Sequence, residues 1–348
     1  MIEVENVSKF YGSFEAVRNL SFSVSRDNVL GFLGPNGAGK TTIMKMLTGF
    51  HFPSAGQVKI DGISVEENPV EIKKRIGYLP ENNPLYGDLN PYEYLFFIAS
   101  SRLIQKEKKL AAINEAINAC GLAEVKNQRI DSLSKGYKQR VGLAQAIIHD
   151  PDILILDEPT SGLDPNQIIE IRSLIRELGK RKTVILSTHI LQEVEAVCSR
   201  VLILNEGRIA AQGTAEEIAL TMKERGGDTW ELQLKGASKD DIESKLAAII
   251  PGGLSGRKLS DVNAETTENG IINLRFNLPA SSKSGEQFFD GELIFDWAVS
   301  QGYKILGMSR KKLSLEDIFV KLTHEPLTHE PFTHEPPSEP HASEEKPK

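Results

Sequence analysis

Short apolar runs that alternate with helical segments dominate the first two thirds of the chain. Residues 2–24 alternate apolar and polar side chains around a turn at Gly12, as strands do. Residues 29–33, 153–156 and 184–186 are short and mostly apolar, which is typical of strands buried on both faces. Because helical segments lie between and after these strands, the pattern predicts a parallel α/β sheet.

A helical insertion is predicted at about residues 85–150, inside this α/β region. Residues 91–120 carry apolar side chains at helical spacing. The side chains predicted to face a core are Leu95, Ile98, Leu110, Ile113 and Ile117. With the insertion included, we predict a first domain at residues 1–224.

The residue pattern changes near residues 224–228, where two glycines follow a run of charged residues. Residues 229–322 then read as strand, helix, two strands, helix, strand and helix, with the clearest strands at 230–234 and 271–276. This order predicts a small α+β domain at 229–322, of the ferredoxin-like kind.

The end of the chain, residues 323–348, is different again. A Thr-His-Glu-Pro unit occurs three times, so proline recurs every fifth residue and prevents a regular helix. Six glutamates and two lysines place four of the seven net negative charges here, with almost no apolar side chains for a core. We predict a disordered tail. Its four histidines could instead bind metal or sense pH, although a solvated proline-rich tail is the preferred interpretation.

Composition and charge exclude some classes of protein. Hydrophobic residues make up 40% of the 348 residues, which is enough for a sizeable core. The formal net charge of -7 argues against a protein that coats nucleic acid through phosphate contacts. The two cysteines lack a metal-like spacing and the N-terminus lacks a signal-peptide pattern, so we expect a cytoplasmic protein. The sequence has no apolar stretch of about 18 residues, so a membrane-spanning part would have to come from another chain.

A glycine-rich loop follows the strand predicted at 29–33 and precedes a helix. It consists of Gly34, Pro35, Asn36, Gly37, Ala38, Gly39, Lys40 and Thr41, with Thr42 next. This order matches the G-x-x-x-x-G-K-[ST] phosphate-binding motif in its strand–loop–helix context. Glycines let backbone N–H groups turn towards phosphate oxygens, and the helix N-terminus adds partial positive charge. We expect Lys40 to reach the β- and γ-phosphates of ATP, and Thr41 to hold Mg²⁺.

Two acids end the apolar run at 153–156. Asp157 and Glu158 follow it directly, where a carboxylate is costly to bury unless it binds a cation. Taken alone, such a run is as often a strand that leaves the core. Together with the glycine loop, it predicts that Asp157 binds Mg²⁺ and that Glu158 orients or activates the water that attacks ATP.

Four further motifs narrow the class of nucleotide-binding protein. Leu133-Ser134-Lys135-Gly136-Tyr137 resembles the signature of ABC transporter ATPases, usually written LSGGQ. Ser161-Gly162-Leu163-Asp164 resembles the D-loop of that family, and Ser187-Thr188-His189 its switch-histidine segment. Tyr11 matches the aromatic residue that stacks on adenine. These motifs occur in family order over residues 2 to about 215. The chain therefore resembles an ABC cassette with the P-loop NTPase fold and a helical subdomain.

Three positions depart from the family pattern. Lys135 and Tyr137 stand at the third and fifth positions of the signature, and Glu81 stands where the family usually has glutamine. A carboxylate at Glu81 can still offer oxygen to Mg²⁺ or water, but it adds negative charge beside the triphosphate. The segment from Gly77 to Glu81, the signature and residues 315–319 are similar to ABC-2-type exporter ATPases, and most of all to the gliding-motility type.

The resemblance implies a site shared by two cassettes, which dimerise head to tail with two ATP molecules between them. The residues that it places against the nucleotide of the second cassette are Ser134, Lys135, Gly136 and Asp164. Glu158 would position water, and His189 would hold the γ-phosphate and sense its loss. Thr41, Asp157 and Glu81 would bind Mg²⁺.

The resemblance also implies a membrane partner. The permease would be a separate integral-membrane chain, and the cassette would act as a homodimer or cassette dimer on the inner face of the cell membrane. The aromatic residues after Glu81 would border the groove for a permease helix; they are Tyr86, Tyr92, Tyr94, Phe96 and Phe97. An equally open interpretation is that these rings pack inside the helical insertion.

Two other functions compete with an exporter ATPase. The first is a soluble ABC ATPase that acts on the ribosome or nucleic acid, but such proteins commonly carry two cassettes, and this chain has one glycine loop and no basic character. The second is an interaction module with a decayed site, which the presence of Lys40, Asp157, Glu158 and His189 argues against. We therefore expect an ATP-hydrolysing subunit of an exporter.

Overall fold

A computed structural model describes residues 1–226, 228–237, 242, 260–267, 270–278, 290–311, 315–324 and 332–333 of the chain. Contacts divide the chain into two units, Met1–Ala215 with Leu322–Lys348, and Glu216–Lys321. The helix Ala215–Gly226 lies at this division. The domain limits expected from the sequence, at 224 and 229, stay predictions.

The first unit begins with an antiparallel sheet. Strands β1 (Ile2–Tyr11) and β2 (Phe14–Val24) form a hairpin through Gly12, whose φ of 61° is left-handed and suits glycine. Strands β4 (Ala55–Ile60) and β5 (Ile63–Ser64) complete the order β2-β1-β4-β5. The alternation predicted for residues 2–24 is confirmed, because every inward side chain of this hairpin is apolar.

A larger sheet forms the centre of the same unit. Its strands are β3 (Val29–Leu33), β6 (Ile76–Leu79), β7 (Ile153–Asp157), β8 (Thr183–Thr188), β9 (Arg200–Asn205), β10 (Arg208–Gly213) and β15 (Phe332–Thr333). Within the described ranges their order is β15-β10-β9-β3-β8-β7-β6. The strands from β9 to β6 pair in parallel, as predicted, whereas β10 turns back on β9 and pairs antiparallel. The carboxyl ends of β3, β7 and β8 therefore lie at one edge of the sheet.

Helices surround this sheet. They are α1 (Lys40–Leu47), α2 (Pro69–Arg75), α3 (Pro91–Ser101), α4 (Lys106–Ala119), α5 (Lys135–Ile147), α6 (Pro165–Gly179) and α7 (Leu191–Val197), with a 3₁₀ turn at Ile130–Ser132. The next helix, α8 (Ala215–Gly226), begins at the division and belongs almost entirely to the second unit. α3 starts with a capping box between Asn90 and Glu93, followed by Pro91 at its first position. The insertion predicted at 85–150 is thus helical in the structure.

The apolar run of β7 packs on both faces of the sheet. Ile153 and Ile155 belong to the cluster that contains α1, whereas Leu154 and Leu156 belong to the cluster that contains α3, α4 and α5. This alternation explains why the run is continuous in sequence. Packing on both faces also holds in place the strand that ends at Asp157.

Most of the core residues expected in the helical insertion are buried. Leu95, Ile113 and Ile117 are buried and Ile98 is partly buried. The expectation for Leu110 is wrong, because its side chain is 54% exposed. Leu110 lies in the first half of α4, and the buried positions of that helix lie in its second half.

The second unit contains an antiparallel sheet. Strands β11 (Asp228–Lys235), β12 (Ser260–Thr266), β13 (Ile271–Leu278) and β14 (Lys304–Lys311) have the order β12-β13-β11-β14. Its described helices include α8, α9 (Asp290–Ser300) and the start of α10 (Leu315–His324). The helix predicted between β11 and β12 falls mostly outside the described residues, so a ferredoxin-like fold stays a prediction.

The predicted disorder of residues 323–348 also falls largely outside the described residues. Two parts of that segment are described. Residues 323–324 end α10, and Phe332–Thr333 forms β15, which pairs in parallel with Ala211 and Gln212. Among the described helices none has both the length and the apolar character needed to cross a bilayer.

His149 makes the folded state sensitive to acid. Its Nε2 lies 3.1 Å from the carbonyl oxygen of Ile76, and its Nδ1 is buried with no hydrogen-bond partner among the described residues. Burial, followed by the charge of Arg102, lowers the pKa of His149 from 6.5 to about 4. Protonation would place a second buried N–H where no acceptor lies.

We expect acid to destabilise the protein through His149. The unfolded chain takes up this proton below pH 6.5 and the folded chain only near pH 4, so stability is lost as pH falls through this window. The loss should be on the order of 2 kcal/mol. Urea unfolding at pH 7 and pH 4.5 should show a smaller loss for His149→Gln, which can still donate to Ile76. An equal loss in both proteins would contradict this assignment.

Candidate nucleotide-binding site

The loop between β3 and α1 requires glycine at particular positions. Gly37 and Gly39 have left-handed φ angles of 84° and 101°. A Cβ at Gly39 would lie 2.7 Å from the Ala16 carbonyl oxygen, and one at Gly34 would lie 2.6 Å from that of Leu204. Nothing lies within 4 Å of a Cβ built at Gly37. The loop is therefore packed at its two ends and open at Gly37, where a phosphate could approach the backbone.

Lys40 lies buried inside this loop. Its Nζ donates to the carbonyl oxygens of Gly34 at 2.7 Å and Pro35 at 3.2 Å. It also lies 3.6 Å from Oε1 of Glu158. Burial lowers the pKa of Lys40, and the charge of Glu158 opposes that shift. An anion in the loop would therefore stabilise the charged lysine.

Asp157 lies at the end of β7 with one oxygen bonded and one free. Its Oδ1 accepts hydrogen bonds from Ser187 Oγ at 2.5 Å and from Thr41 Oγ1 at 3.3 Å. Its Oδ2 is buried with no hydrogen-bond partner among the residues that the structure describes. Burial raises the pKa of Asp157, and the negative charge of the exposed Glu81 adds to that shift.

The free oxygen of Asp157 suits a hard cation. Mg²⁺ prefers oxygen ligands, and the carboxylate of Asp157 and the hydroxyl of Thr41 are adjacent oxygen donors. Across the described ranges, no three His, Cys, Asp or Glu side chains form a metal cluster. The residues present therefore fit an ion that takes its other ligands from phosphate and water.

Glu158 has a strained backbone and two basic side chains beside its carboxylate. Its φ of 49° is left-handed, which costs a non-glycine residue on the order of 1–3 kcal/mol. The backbone N–H donates to Ser187 Oγ at 3.0 Å and to the Ser187 carbonyl oxygen at 3.2 Å. Its Oε2 lies 2.9 Å from His189 Nδ1, and its Oε1 lies near Lys40. Burial raises the pKa of Glu158, and His189 and Lys40 oppose that shift.

Sequence reasoning missed three residues behind these groups. Ser187 was recognised only as part of the switch segment, yet it bonds both Asp157 and Glu158. Thr160 and Glu193 had no assigned role, yet their side chains are hydrogen-bonded and buried beside the site. An acid in the first turn of a helix is common, so the sequence carries no signal that singles out Glu193.

The signature residues lie at the start of α5. Ser134 caps this helix and accepts from the Tyr137 N–H at 3.4 Å. A Cβ at Gly136 would lie 2.6 Å from Gln167 Cδ, and one at Gly162 would lie 2.1 Å from Lys135 Nζ. The signature therefore packs on the D-loop and α6 of the same chain.

Asp164 caps the helix that this signature contacts. Its side chain accepts from the Gln167 N–H at 3.0 Å at the start of α6. Within the described part of the chain, no hydrogen bond or ion pair joins Ser134, Lys135 or Asp164 to the glycine loop. The structure thus brings together Lys40, Thr41, Asp157, Glu158 and His189, and leaves the signature residues apart from them.

Tyr11 presents an exposed ring at the end of β1. The residue is 42% exposed, and its hydroxyl lies 2.7 Å from His51 Nδ1. Lys9 Nζ lies 5.5 Å from the ring centroid. The ring is open to stacking, but no described contact joins it to the other site residues.

The five aromatic residues that follow Glu81 differ in how far they are buried. Tyr94 is 3% exposed and Tyr92 packs partly against the core of the helical insertion. Tyr86, Phe96 and Phe97 are 54%, 46% and 45% exposed. The Tyr86 and Phe97 rings lie 5.4 Å apart, so they form a surface aromatic pair above the packed residues.

The chain is similar to known ABC transporter proteins. The profile of the ABC transporter family matches residues 17–161. The bacitracin transport ATP-binding protein BcrA of Bacillus licheniformis is 35% identical over 92% of this chain and 97% of its own. The linearmycin resistance ATP-binding protein LnrL of Bacillus subtilis is 32% identical over 93% of this chain and 98% of its own. A dimeric bacterial ABC transporter cassette of solved structure is 25% identical, with a TM-score of 0.57 over 62% of this chain and 98% of its own.

We expect Ser187→Ala to destabilise the fold, because Asp157 and the Glu158 N–H each lose a buried hydrogen bond. The free energy of unfolding should fall by about 1–3 kcal/mol. Ser173→Ala on the exposed face of α6 is the matched control and should stay within about 0.5 kcal/mol of the parent. Urea titration measures both, and equal effects would contradict the role of Ser187.

Proposed function

The chain belongs to the ABC transporter ATP-binding proteins, and on this premise we propose that it powers a membrane exporter through a separate permease. Proteins of this family hydrolyse ATP, and the chain is an ATP-binding subunit of that kind. Two relatives that match along nearly its whole length carry the names bacitracin transport and linearmycin resistance. Removal of a compound from the cell is a direct route to resistance, which favours export.

The position of Glu158 is the observation that best supports a role in ATP hydrolysis. Its buried carboxylate lies 2.9 Å from His189 and 3.6 Å from Lys40, at the carboxyl edge of the parallel strands. A carboxylate whose pKa is raised by burial is suited to accept a proton near neutral pH. We infer that Glu158 orients the attacking water and that His189 contacts the γ-phosphate.

ATP would take the place of internal contacts in the loop. Lys40 would exchange the carbonyl oxygens of Gly34 and Pro35 for phosphate oxygens, and the amides around Gly37 would face the same group. Thr42 lies in the first turn of α1, beside Thr41. Tyr11 would stack on adenine through its exposed ring.

Magnesium fits the acidic side of this site. We infer that Asp157 and Thr41 would hold the ion, and that Glu81, whose charge acts on Asp157, would add an oxygen ligand directly or through water. Bound there, it would neutralise charge on the phosphate oxygens. The residues of the chain would still orient the water and receive its proton.

A second cassette would close the site. Ser134, Lys135, Gly136 and Asp164 would then face the nucleotide of the partner. The lack of hydrogen bonds from these residues to their own glycine loop, within the described residues, supports this inference. The partner could be a second copy or a paralogue, and the dimeric cassette among the similar structures has the same fold.

A permease would dock on the exposed aromatic pair. Tyr86 and Phe97, with Phe96 beside them, form an apolar surface of the helical insertion that a cytoplasmic helix could cover. We place the cassette at the inner face of the cell membrane for that reason. A soluble ATPase acting on the ribosome or nucleic acid is the alternative, and the transport names of the relatives favour the permease. The gliding-motility likeness stays a prediction.

We expect Glu158→Gln to retain ATP binding and lose hydrolysis. The amide keeps the size of the side chain but cannot accept the proton, so phosphate release should fall by about 10²- to 10⁴-fold. ATP binding should change less than about threefold, and the stalled protein should form dimers with ATP in size-exclusion chromatography. Glu195→Gln, on an exposed position of α7, is the control. Near-normal turnover would remove Glu158 from the base role.

We expect the chain to copurify with an integral-membrane protein from detergent-solubilised membranes. Because Tyr86 and Phe97 would be covered by that partner, replacing both with Ala should reduce its recovery by about tenfold without changing the ATPase rate of the isolated chain. Leu110→Ala, which removes an exposed apolar side chain elsewhere on the insertion, is the matched control. Copurification of ribosomes in place of a membrane protein would support the alternative function.

A further inference from the structure

We propose that Glu193 is a positioning residue for ATP hydrolysis, and that its carboxylate holds the segments that carry Glu158 and His189 at reacting distance. This inference rests on the proposed function, because it assigns Glu158 to the chemistry. Among the described residues, Glu193 makes no hydrogen bond to the glycine loop or to His189. It acts through two threonines.

The contacts of Glu193 join the two segments directly. Thr160 Oγ1 donates to Oε1 of Glu193, and Thr188 Oγ1 donates to Oε2 at 2.6 Å. Thr160 lies two residues after Glu158, and Thr188 lies immediately before His189. The carboxylate of Glu193 therefore links the segment that follows Glu158 to the segment that precedes His189.

Thr188 also fixes the backbone next to a site residue. The Ile190 N–H donates to Thr188 Oγ1 at 3.0 Å, which shapes the turn after His189. Separately from the Thr160 side chain, the Ser161 N–H donates to the Glu158 carbonyl oxygen at 3.1 Å and closes the turn in which Thr160 lies. Thr160 and Thr188 are both 3% exposed or less. Movement of either segment would thus break a buried hydrogen bond.

The left-handed backbone of Glu158 explains why such an anchor is useful. A glutamate at φ 49° would relax to a more favourable conformation unless neighbouring contacts hold it. Ser187 holds the Glu158 N–H on one side, and Glu193 holds Thr160 on the other. Relaxation would turn the carboxylate away from His189 Nδ1.

Burial of Glu193 is difficult to explain by packing alone. The residue is 2% exposed, and among the described residues Arg172 is its ion-pair partner, with Nη2 at 3.9 Å from Oε1. A buried carboxylate with one ion pair of this length is still costly unless its oxygens are also hydrogen-bonded. An apolar side chain of similar size would pack without that cost, but it could not bridge the two hydroxyls. The hydrogen bonds to Thr160 and Thr188 are thus its distinguishing property.

The experiment compares variants that remove the bridge in different ways. Glu193→Ala removes both hydrogen bonds, Thr160→Val removes one and keeps the shape, and Glu193→Gln can still bond both hydroxyls. Glu195→Ala, on an exposed position of the same helix, is the matched control. The readouts are kcat for ATP hydrolysis, the Kd for ATP and the melting temperature, all on the full chain.

We expect Glu193→Ala to lower kcat by about 10- to 100-fold, since a small misplacement of a reacting group has effects of this size. Thr160→Val should lower kcat in the same direction, Glu193→Gln should recover most of the loss, and the Kd for ATP should change less than about twofold. A kcat of Glu193→Gln no higher than that of Glu193→Ala would overturn the proposal. If Glu193→Ala does not fold, Thr160→Val and Glu193→Gln carry the same test.

A second arm separates positioning from general stability. In the Glu158→Gln background the base is already lost, so adding Thr160→Val should leave the residual single-turnover rate within about twofold. A further loss equal to that seen in the parent protein would show a structural role and overturn the proposal. If the parent does not hydrolyse ATP, or Glu158→Gln turns over normally, the proposed function fails. If both behave as proposed and Glu193→Ala turns over normally, only this inference fails.

Discussion

The burial of three charges at one sheet edge is the constraint on which the site depends. Lys40, Asp157 and Glu158 are each less than a tenth exposed. Burial lowers the pKa of the lysine and raises the pKa of both carboxyl groups, against the attraction between the opposite charges. Such an arrangement is costly in the absence of ligand. A triphosphate with a bound cation would supply the complementary charges, and this gain could offset the loss of the contacts that Lys40 makes with the loop carbonyl oxygens.

The central sheet makes this burial possible. β7 carries apolar residues to both faces and ends at the acids, so the carboxylates emerge where β8 supplies hydroxyl donors. Ser187 and Thr188, successive residues of β8, point their hydroxyls to opposite sides: Ser187 bonds Asp157, and Thr188 bonds Glu193. Because successive side chains of a strand point to opposite faces, Ser187 faces the proposed nucleotide site and Thr188 faces Glu193.

The sequence predicts those parts of the molecule whose residue pattern lies within a single segment. The glycine loop, the strand before Asp157 and the helical insertion each follow from spacing that a single segment contains. Leu110 was predicted wrongly because helical spacing does not tell which half of α4 lies against its neighbours. Thr160 and Glu193 lie 33 residues apart and meet only through the tertiary fold, so no local pattern could pair them. The antiparallel direction of β10 was also missed, because the apolar content of a strand does not determine whether it pairs in parallel or antiparallel.

Glu81 changes the electrostatics of this site compared with the glutamine that the family usually carries. Its negative charge raises the pKa of Asp157, so it opposes ionisation of that carboxyl group. A divalent cation bound between the two carboxylates would reverse this effect, because its charge would attract both of them. The charge of Glu81 would also repel the oxygens of a bound triphosphate, which Lys40 and the loop amides would attract. We therefore infer that an exposed glutamate at this position would make nucleotide affinity depend more strongly on a divalent cation than an amide would, because the cation would lie between the carboxylates and the phosphate oxygens.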